Sequence, residues 1–480
     1  MPRIASVTSA PTSSPSRLKL PNLIAFSLPG FSIGALAVAL TVYLPHYYAA
    51  HYGLALAVVG TAFAVIRFGD MFLDPLIGIT MDRTRTRFGR YKVWLAAGAP
   101  VLMLAVYMLF LPPAGVTLLY LAGWLLIYYL GFSLVVLAHS AWASVIASKY
   151  HERSRVFGVI QLVSILGAAL VLLLPVLLAK RNGSSGAGDV SAMGWFIIIA
   201  APIGVTAAVL FTRETIVREI ETERFGLRDY WEMITRPDMR RIIIADFCLA
   251  LGPGWMSSLY LFYFHDARGF TIASASTLLF IYIAAGVLGA GCLAALAHRL
   301  GKHRTLQVAS TGYSLGLIGI ALLPRGAFVV AAIAMFVMGF LAAGFPLLDR
   351  AMVADVGDAV RLEKGKQRTG LLYAMISTSQ KLAGSTSIGL SYLLLSAIGY
   401  HAKEGAPNTA AAVHGMEMVY IIVPIVFVML GGACFIGYRL DSRRHGDIRA
   451  QLDARDAEIT EAPILESLTG DQGVAVVNRA

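Results

Sequence analysis

RETIVREIETERFGLRDYWEMITRPDMR, residues 213–240, is a polar, charge-dense stretch in a chain whose other long segments are almost all apolar. Its pattern is helical, and it is too charged to cross a bilayer. Working outward in windows of about 19 residues, six apolar stretches precede it, near residues 22–45, 55–80, 93–112, 116–146, 156–179 and 192–212. Six follow, near 241–264, 271–298, 305–324, 327–353, 369–400 and 416–438. Each approaches the roughly 20 residues a helix needs to cross about 30 Å of hydrocarbon. The expected fold class is all-α and integral to the membrane: twelve transmembrane helices, numbered 1–12, in two six-helix halves over 22–212 and 241–438. Outside the halves lie an N-terminal tail (1–21), the central loop (213–240) and a charged tail (439–480).

Composition agrees, because 57% hydrophobic and 14% charged residues in 480 leave little polar surface for a soluble domain. The net charge of +11 would suit nucleic acid, but the Lys and Arg cluster in short loops, so the lipid bilayer is the expected polyanion and no nucleic-acid partner is expected. The loop after helix 2 holds Arg83, Arg85, Arg87, Arg90 and Lys92, whereas those after helices 1 and 3 hold no Lys or Arg. Lys149, Arg153 and Arg155 follow helix 4, Arg299, Lys302 and Arg304 follow helix 8, and Arg361, Lys364, Lys366 and Arg368 follow helix 10. This asymmetry places both termini in the cytoplasm and the chain in a bacterial-type inner (plasma) membrane. Residues 1–20 lack an apolar core, so helix 1 is expected to stay uncleaved. Cys248, Cys292 and Cys434 lie in apolar segments without paired spacing and read as small core residues rather than a disulfide or metal framework.

A charge near the bilayer centre costs at least about 2.5–3.5 kcal/mol on insertion scales, so each one needs a reason. Helix 2 carries three, Arg67, Asp70 and Asp74, in AVIRFGDMFLDPLIG (residues 64–78), at spacings that put them on one helical face. Counting at 1.5 Å per residue from an inner end near residue 81, Asp70 lies roughly 16 Å deep and Asp74 roughly 10 Å. A lock of Arg67 against one acid would leave the second acid uncompensated. The surplus suits a Na+ ion, which takes hard oxygen ligands, or a proton, which burial and a like-charged neighbour favour. Pro75 also frees a carbonyl of the preceding turn.

By the same counting Lys381, in STSQKLAGSTS (residues 377–387), lies roughly 18 Å deep, level with Asp70 and beyond the reach of snorkelling. Ser377 lies one turn before it. His139 and Trp142 in AHSAWAS occupy the inner half of helix 4, and Gln161 lies near the start of helix 5. For His139, a satisfied core histidine and a cavity residue are both open; for Trp142, lipid, core and a ring for a sugar to stack on are all open. Asp355 and Asp358, at the inner end of helix 10, fit either a solvated helix end or a gating cluster with Arg83, Arg361 or the loop after helix 4. Asp246 reads as an interfacial partner of Arg240 and Arg241.

The turns GITMDRTRTRFGR after helix 2 and GCLAALAHRLGKHR after helix 8 both lead into a basic loop that closes with Gly-Arg or Gly-Lys, the mark of an internal repeat with a site between the halves. Together with RFGDMFLDPLIG and DRTRTRFGRYKVW, the segments HSAWAS, YHERSRV, MVADVGDA, QKLAGS and IGY resemble the helix 2, 4, 10 and 11 signatures of the glycoside-pentoside-hexuronide:cation symporters, the melibiose-permease-like family of the major facilitator superfamily. The resemblance covers nearly the whole chain. It implies the major facilitator fold, Na+, Li+ or H+ coupling at Asp70 and Asp74, a lysine (Lys381) joining cation and substrate sites, and alternating access. Where the family's melibiose carriers use acids on helices 1 and 4, an arginine on helix 5 and a tryptophan on helix 10, this chain has FSLPGFSIGALAVAL without an acid, His139, Gln161 and Pro346. The departures point away from galactosides and leave an anionic solute such as a glucuronide open.

The expected function is secondary active transport, a cation:solute symporter for a sugar, glycoside or uronide. A lipid-like solute, or an uncoupled facilitator or exporter of the same fold, is the alternative. No nucleophile elbow, HExxH or P-loop is present, so no enzyme is expected. The expected partners are a small-molecule solute and the coupling cation, with no other cofactor and a monomeric assembly.

Overall fold

The computed structural model describes residues 20–84, 86–146, 150–182, 186–212, 214, 227–322, 324, 326–364 and 369–469. Arg85, Lys149, Lys366 and Arg368 of the basic loops, most of the central stretch and both chain ends lie outside them. Every regular element among the described residues is helical. The twelve predicted stretches correspond to helix 1 (Leu20–Ala50), 2 (Leu56–Arg83), 3 (Tyr91–Phe110), 4 (Leu118–Ile146), 5 (Tyr150–Asn182), 6 (Gly186–Phe211), 7 (Pro237–Ala267), 8 (Ile272–Leu300), 9 (Lys302–Ala321), 10 (Phe328–Lys364), 11 (Thr369–Ala397) and 12 (Ala410–Ala433). Ten of them are long and apolar enough to cross a membrane; helices 9 and 11 are the other two. Helix 12 begins earlier than its hydropathy suggests, where the Thr409 side chain accepts from the Ala412 N–H and caps it. Helix 10 extends to Lys364, so Asp355 and Asp358 sit within the helix rather than at its end.

The chain divides into two compact units, the first made of Met1–Leu40, Phe72–Leu174 and Gly188–Glu219, the second of Thr41–Met71, Pro175–Ala187 and Ile220–Ala480. In the first unit the helices meet through glycines: a Cβ on Gly34 would overlap the Ser164 carbonyl, and one on Gly167 the Phe31 carbonyl, so helices 1 and 5 touch backbone to backbone. Glu214 folds back to accept from the N–H groups of Arg90, Tyr91 and Lys92 at 2.8–3.2 Å, neutralising the positive end of helix 3. Gly89, at φ +121°, makes the turn that lets it in.

In the second unit helices 8 and 10 touch in the same way, Gly289 against the Phe340 carbonyl and Gly339 against that of Tyr282. Gly301, at φ +87°, stands just before helix 9, and Gly89 stands two residues before helix 3, so both copies of the repeated turn place a positive-φ glycine ahead of the helix. Helices 1 and 7 each relax into a π-helical turn, Ala39–Tyr43 and Phe262–Ala267. In helix 1 Pro45 has no N–H for residue 41, and the wider turn absorbs the missing bond. A further helix over Ser442–Thr469 follows helix 12, in what the sequence reads only as a charged tail.

Candidate functional site

The charged face of helix 2 points away from its greasy face. At about 100° per residue, the exposed Val65, Phe68, Phe72, Leu76 and Ile79 share one side, and Arg67, Asp70 and Asp74 share the side opposite. The apolar side chains suit lipid, and the charges turn inward. Arg67 and Asp74 are half-buried, and Asp70 is 1% exposed.

What brings Asp70 to its partner is a seam of small residues in the second unit. Gly60 and Ala64 on helix 2 face Ser385 and Gly389 on helix 11, each pair four residues apart. A Cβ on Gly60 would stand 2.5 Å from that of Tyr392, one on Gly389 2.5 Å from that of Ala64, and the Ser385 hydroxyl donates to the Ala64 carbonyl at 2.7 Å. The helices run antiparallel in close contact, and about two turns further along Lys381 Nζ reaches Asp70 Oδ2 at 2.9 Å. The pair is largely dry, with 20% of the Lys381 side chain and 2% of that of Asp70 exposed. Depth counting set the two residues level; the structure makes them an ion pair. In the first unit Asp74 Oδ1 accepts from the hydroxyl of Ser133 on helix 4 at 2.8 Å, a contact no sequence motif announced.

His139 and Trp142 are packed rather than open. The His139 Nε2 lies 2.8 Å from the Phe26 carbonyl, and its ring stands 4.8 Å from that of Phe26. Trp142 is wholly buried, edge-on to Phe26 at 5.0 Å, with the Lys92 ammonium 5.3 Å over its face. That face is therefore taken by a cation from the start of helix 3. Gln161 and Ser377 are exposed on helices 5 and 11.

In the last turns of helix 10, before its end at Lys364, Asp355 receives Lys302 Nζ at 2.6 and 2.7 Å, and His445 lies 3.3 Å away; Asp358 pairs with His445 at 3.0 Å and Arg449 at 3.4 Å. Within this unit the cations on the two acids come from Lys302 at the start of helix 9 and from His445 and Arg449 on the helix over Ser442–Thr469. Just beyond, Arg236 holds Glu363 through two bonds of 2.6 and 2.7 Å, which keeps its guanidinium above the ordinary range, and Lys364 pairs with Glu232. Asp246 also departs from expectation. It is buried and accepts from the Gln380 amide at 3.0 Å, while Arg241 donates to the Ile436 carbonyl. Of the cysteines, Cys248 is buried, Cys434 is partly buried and Cys292 faces outward from helix 8.

The family described as MFS/sugar transport protein matches residues 25–442. The chain belongs to this family, that of the glycoside-pentoside-hexuronide transporters. It is 26% identical to the isoprimeverose transporter of Lactiplantibacillus pentosus, over 91% of this chain and 93% of that one. It is 23% identical to the glucuronide carrier protein homolog of Escherichia coli K12, over 88% and 92%. Among solved structures a point mutant of the nucleoside transporter NupG superposes with a TM-score of 0.65 at 13% identity, covering 87% of this chain and 99% of that one, a likeness of fold. This family member is thus a multi-pass inner-membrane transporter of small solutes, not an enzyme.

Proposed function

We propose that this transporter is a cation-coupled symporter of a glycoside, pentoside or uronide, with twelve spans, both termini cytoplasmic, and the cation held on helix 2 at Asp70 and Asp74. The observation that carries the reading is the dry ion pair of Asp70 with Lys381. A buried pair of this kind is a poor way to gain stability, since apolar residues of the same volume serve as well or better; it is a good way to make one charge depend on another. A proton or Na+ arriving at Asp70 competes directly with the Lys381 ammonium. Loading the cation frees Lys381 for solute, and solute on Lys381 leaves Asp70 open to the cation, so each ligand favours the other.

Asp74, one turn away with the Ser133 hydroxyl beside it, supplies the second oxygen donor set. Arg67, Gln161 and Ser377 are the remaining polar groups assigned to the solute path, and His139 and Trp142, packed against Phe26, are assigned to the layer that supports it. The protein alternates access as a monomer, with no cofactor beyond the coupling ion. The names of the isoprimeverose and glucuronide relatives set the solutes to try first. Reconstituted in proteoliposomes, the protein is expected to accumulate a pentosyl-glucoside or a methyl glucuronide against its gradient when an inward Na+ or H+ gradient is imposed. Uptake that only equilibrates, indifferent to both gradients, would instead make it a facilitator.

A further inference from the structure

Within the second unit, helices 7, 8, 10 and 11 line a partly open cavity of about 340 Å³ whose wall includes two acids, Asp246 and Asp349. They are 2% and 1% exposed. Gln380 donates to Asp246 Oδ1 at 3.0 Å, but neither Asp246 Oδ2 nor Asp349 Oδ1 has a hydrogen-bond partner. No ion pair reaches either carboxylate among the described residues. Arg350, the neighbour of Asp349, turns outward, and Ser379 next to Gln380 donates to the Ile243 carbonyl. The other groups acting on the two acids are Arg350, within electrostatic reach of Asp246, Tyr282, which lines the cavity, and Cys434, within electrostatic reach of Asp349. The remaining wall is mostly apolar: Leu249, Ala250, Pro253, Ala342, Phe345 and Pro346.

Two prolines open the backbone at this cavity. Pro253 on helix 7 and Pro346 on helix 10 cannot donate to the carbonyls of Leu249 and Ala342, and all four residues line it. Irregular backbone at membrane depth is tolerated where it borders a cavity that needs oxygen acceptors. Two ionised carboxylates here would face each other across a low-dielectric space with only the outward-turned Arg350 acting on Asp246 from a distance and no ion pair on either, at a cost of several kcal/mol each. Protonation removes that cost most simply, by turning an orphaned acceptor into a donor for the other acid, for Gln380 or for a freed carbonyl.

We propose that Asp246 and Asp349 form a proton-binding pair, a second cation site that shares no residue with the helix 2 carboxylates. The pair takes one proton from hydronium, releasing water, and passes from two negative charges to one. As a coupling element it rests on the symport reading above; as a proton site it stands without it.

Infrared difference spectroscopy of the full-length protein in lipid nanodiscs, titrated through neutral pH at constant Na+, tests the pair. The wild type is expected to show a protonated-carboxyl band that D246N/D349N lacks and D70N retains. In D349N the proton affinity of the remaining acid should fall about tenfold or more, the scale on which facing carboxylates act on each other. D349E, which keeps the carboxylate, retains the band and serves as the folded control should the amide variants misfold. A band unchanged in D246N/D349N overturns the proposal, and so does one that Na+ removes at fixed pH, which would make the site a sodium site. Normal gradient-driven uptake by D70N would overturn the symport reading while leaving the band, and hence the proton pair, in place.

Discussion

Removing the Lys381 ammonium should be far more damaging than removing the Asp70 charge, because the two partners differ in burial. Asp70 is 1% exposed, whereas a fifth of the Lys381 side chain still reaches the surface. At 2.9 Å and an effective dielectric constant of about 20, the Coulomb attraction is on the order of 6 kcal/mol before desolvation is subtracted. Leaving one member of a buried pair uncompensated typically costs about 3–5 kcal/mol. Asp70 has other contacts as well, so Lys381→Met, which keeps the apolar stem, is placed at the low end, ~3 kcal/mol or roughly a hundredfold in the folded-to-unfolded ratio. Asp70→Asn leaves a lysine able to move toward water and should cost ~1–2 kcal/mol. The double variant should cost no more than Lys381→Met alone, ~2–3 kcal/mol rather than the additive ~4–5, a coupling energy of about 2 kcal/mol. Reversible unfolding in mixed micelles, followed by tryptophan fluorescence across this double-mutant cycle, measures it. Additive single effects, or a loss below ~0.5 kcal/mol for Lys381→Met, would show that the pair is not the buried, mutually dependent contact described above.

Further outcomes follow from neighbouring contacts. Gly389→Leu should force helices 2 and 11 apart, since even a Cβ there stands 2.5 Å from that of Ala64; monodisperse, transport-competent protein would contradict the seam. Ser133→Ala removes a donor to ionised Asp74 and, with such bonds worth about 1.5–3 kcal/mol, should change cation affinity about tenfold. The affinity should rise for H+ and fall for Na+, and an unchanged half-saturation for both ions would refute the contact's role. Glu214→Ala uncovers three N–H groups at the start of helix 3 and should cost ~1–2 kcal/mol in the same unfolding assay. Glu363→Gln breaks a pair that is half in water, and stability should change by less than about 1 kcal/mol.

Much of the site could be read from the chain because charge in an apolar segment is conspicuous. Arg67, Asp70 and Asp74 declared their face by spacing, and Lys381 declared its level by counting from the helix start. Ser133 was hidden because a serine costs an apolar helix little and carries no signal until its partner is known. Asp349 was hidden by Arg350 beside it, which makes an internal acid look like an interfacial pair; Asp246 was misassigned for the same reason, with Arg240 and Arg241 nearby. The true partner of Asp246 comes from helix 11, more than a hundred residues away, and hydropathy does not report which helices adjoin. Helix 10 runs past its hydropathic end because its last turns are amphipathic, and their acidic side pairs with His445 and Arg449 of a polar helix that a hydropathy window discards. Depth alone left His139 and Trp142 open between core and cavity. Depth fixes distance along a helix but not which way the side chain turns, and the Phe26 contacts decide that.

The central claim is that Asp70 links solute movement to a cation. Solute exchange across proteoliposomes needs only binding and reorientation, whereas accumulation also needs the cation, so comparing the two in Asp70→Asn isolates the link. Exchange should persist at a rate within about tenfold of the wild type, while accumulation under an imposed Na+ or H+ gradient falls to equilibration. Gradient-driven accumulation at the wild-type level in Asp70→Asn would contradict the account.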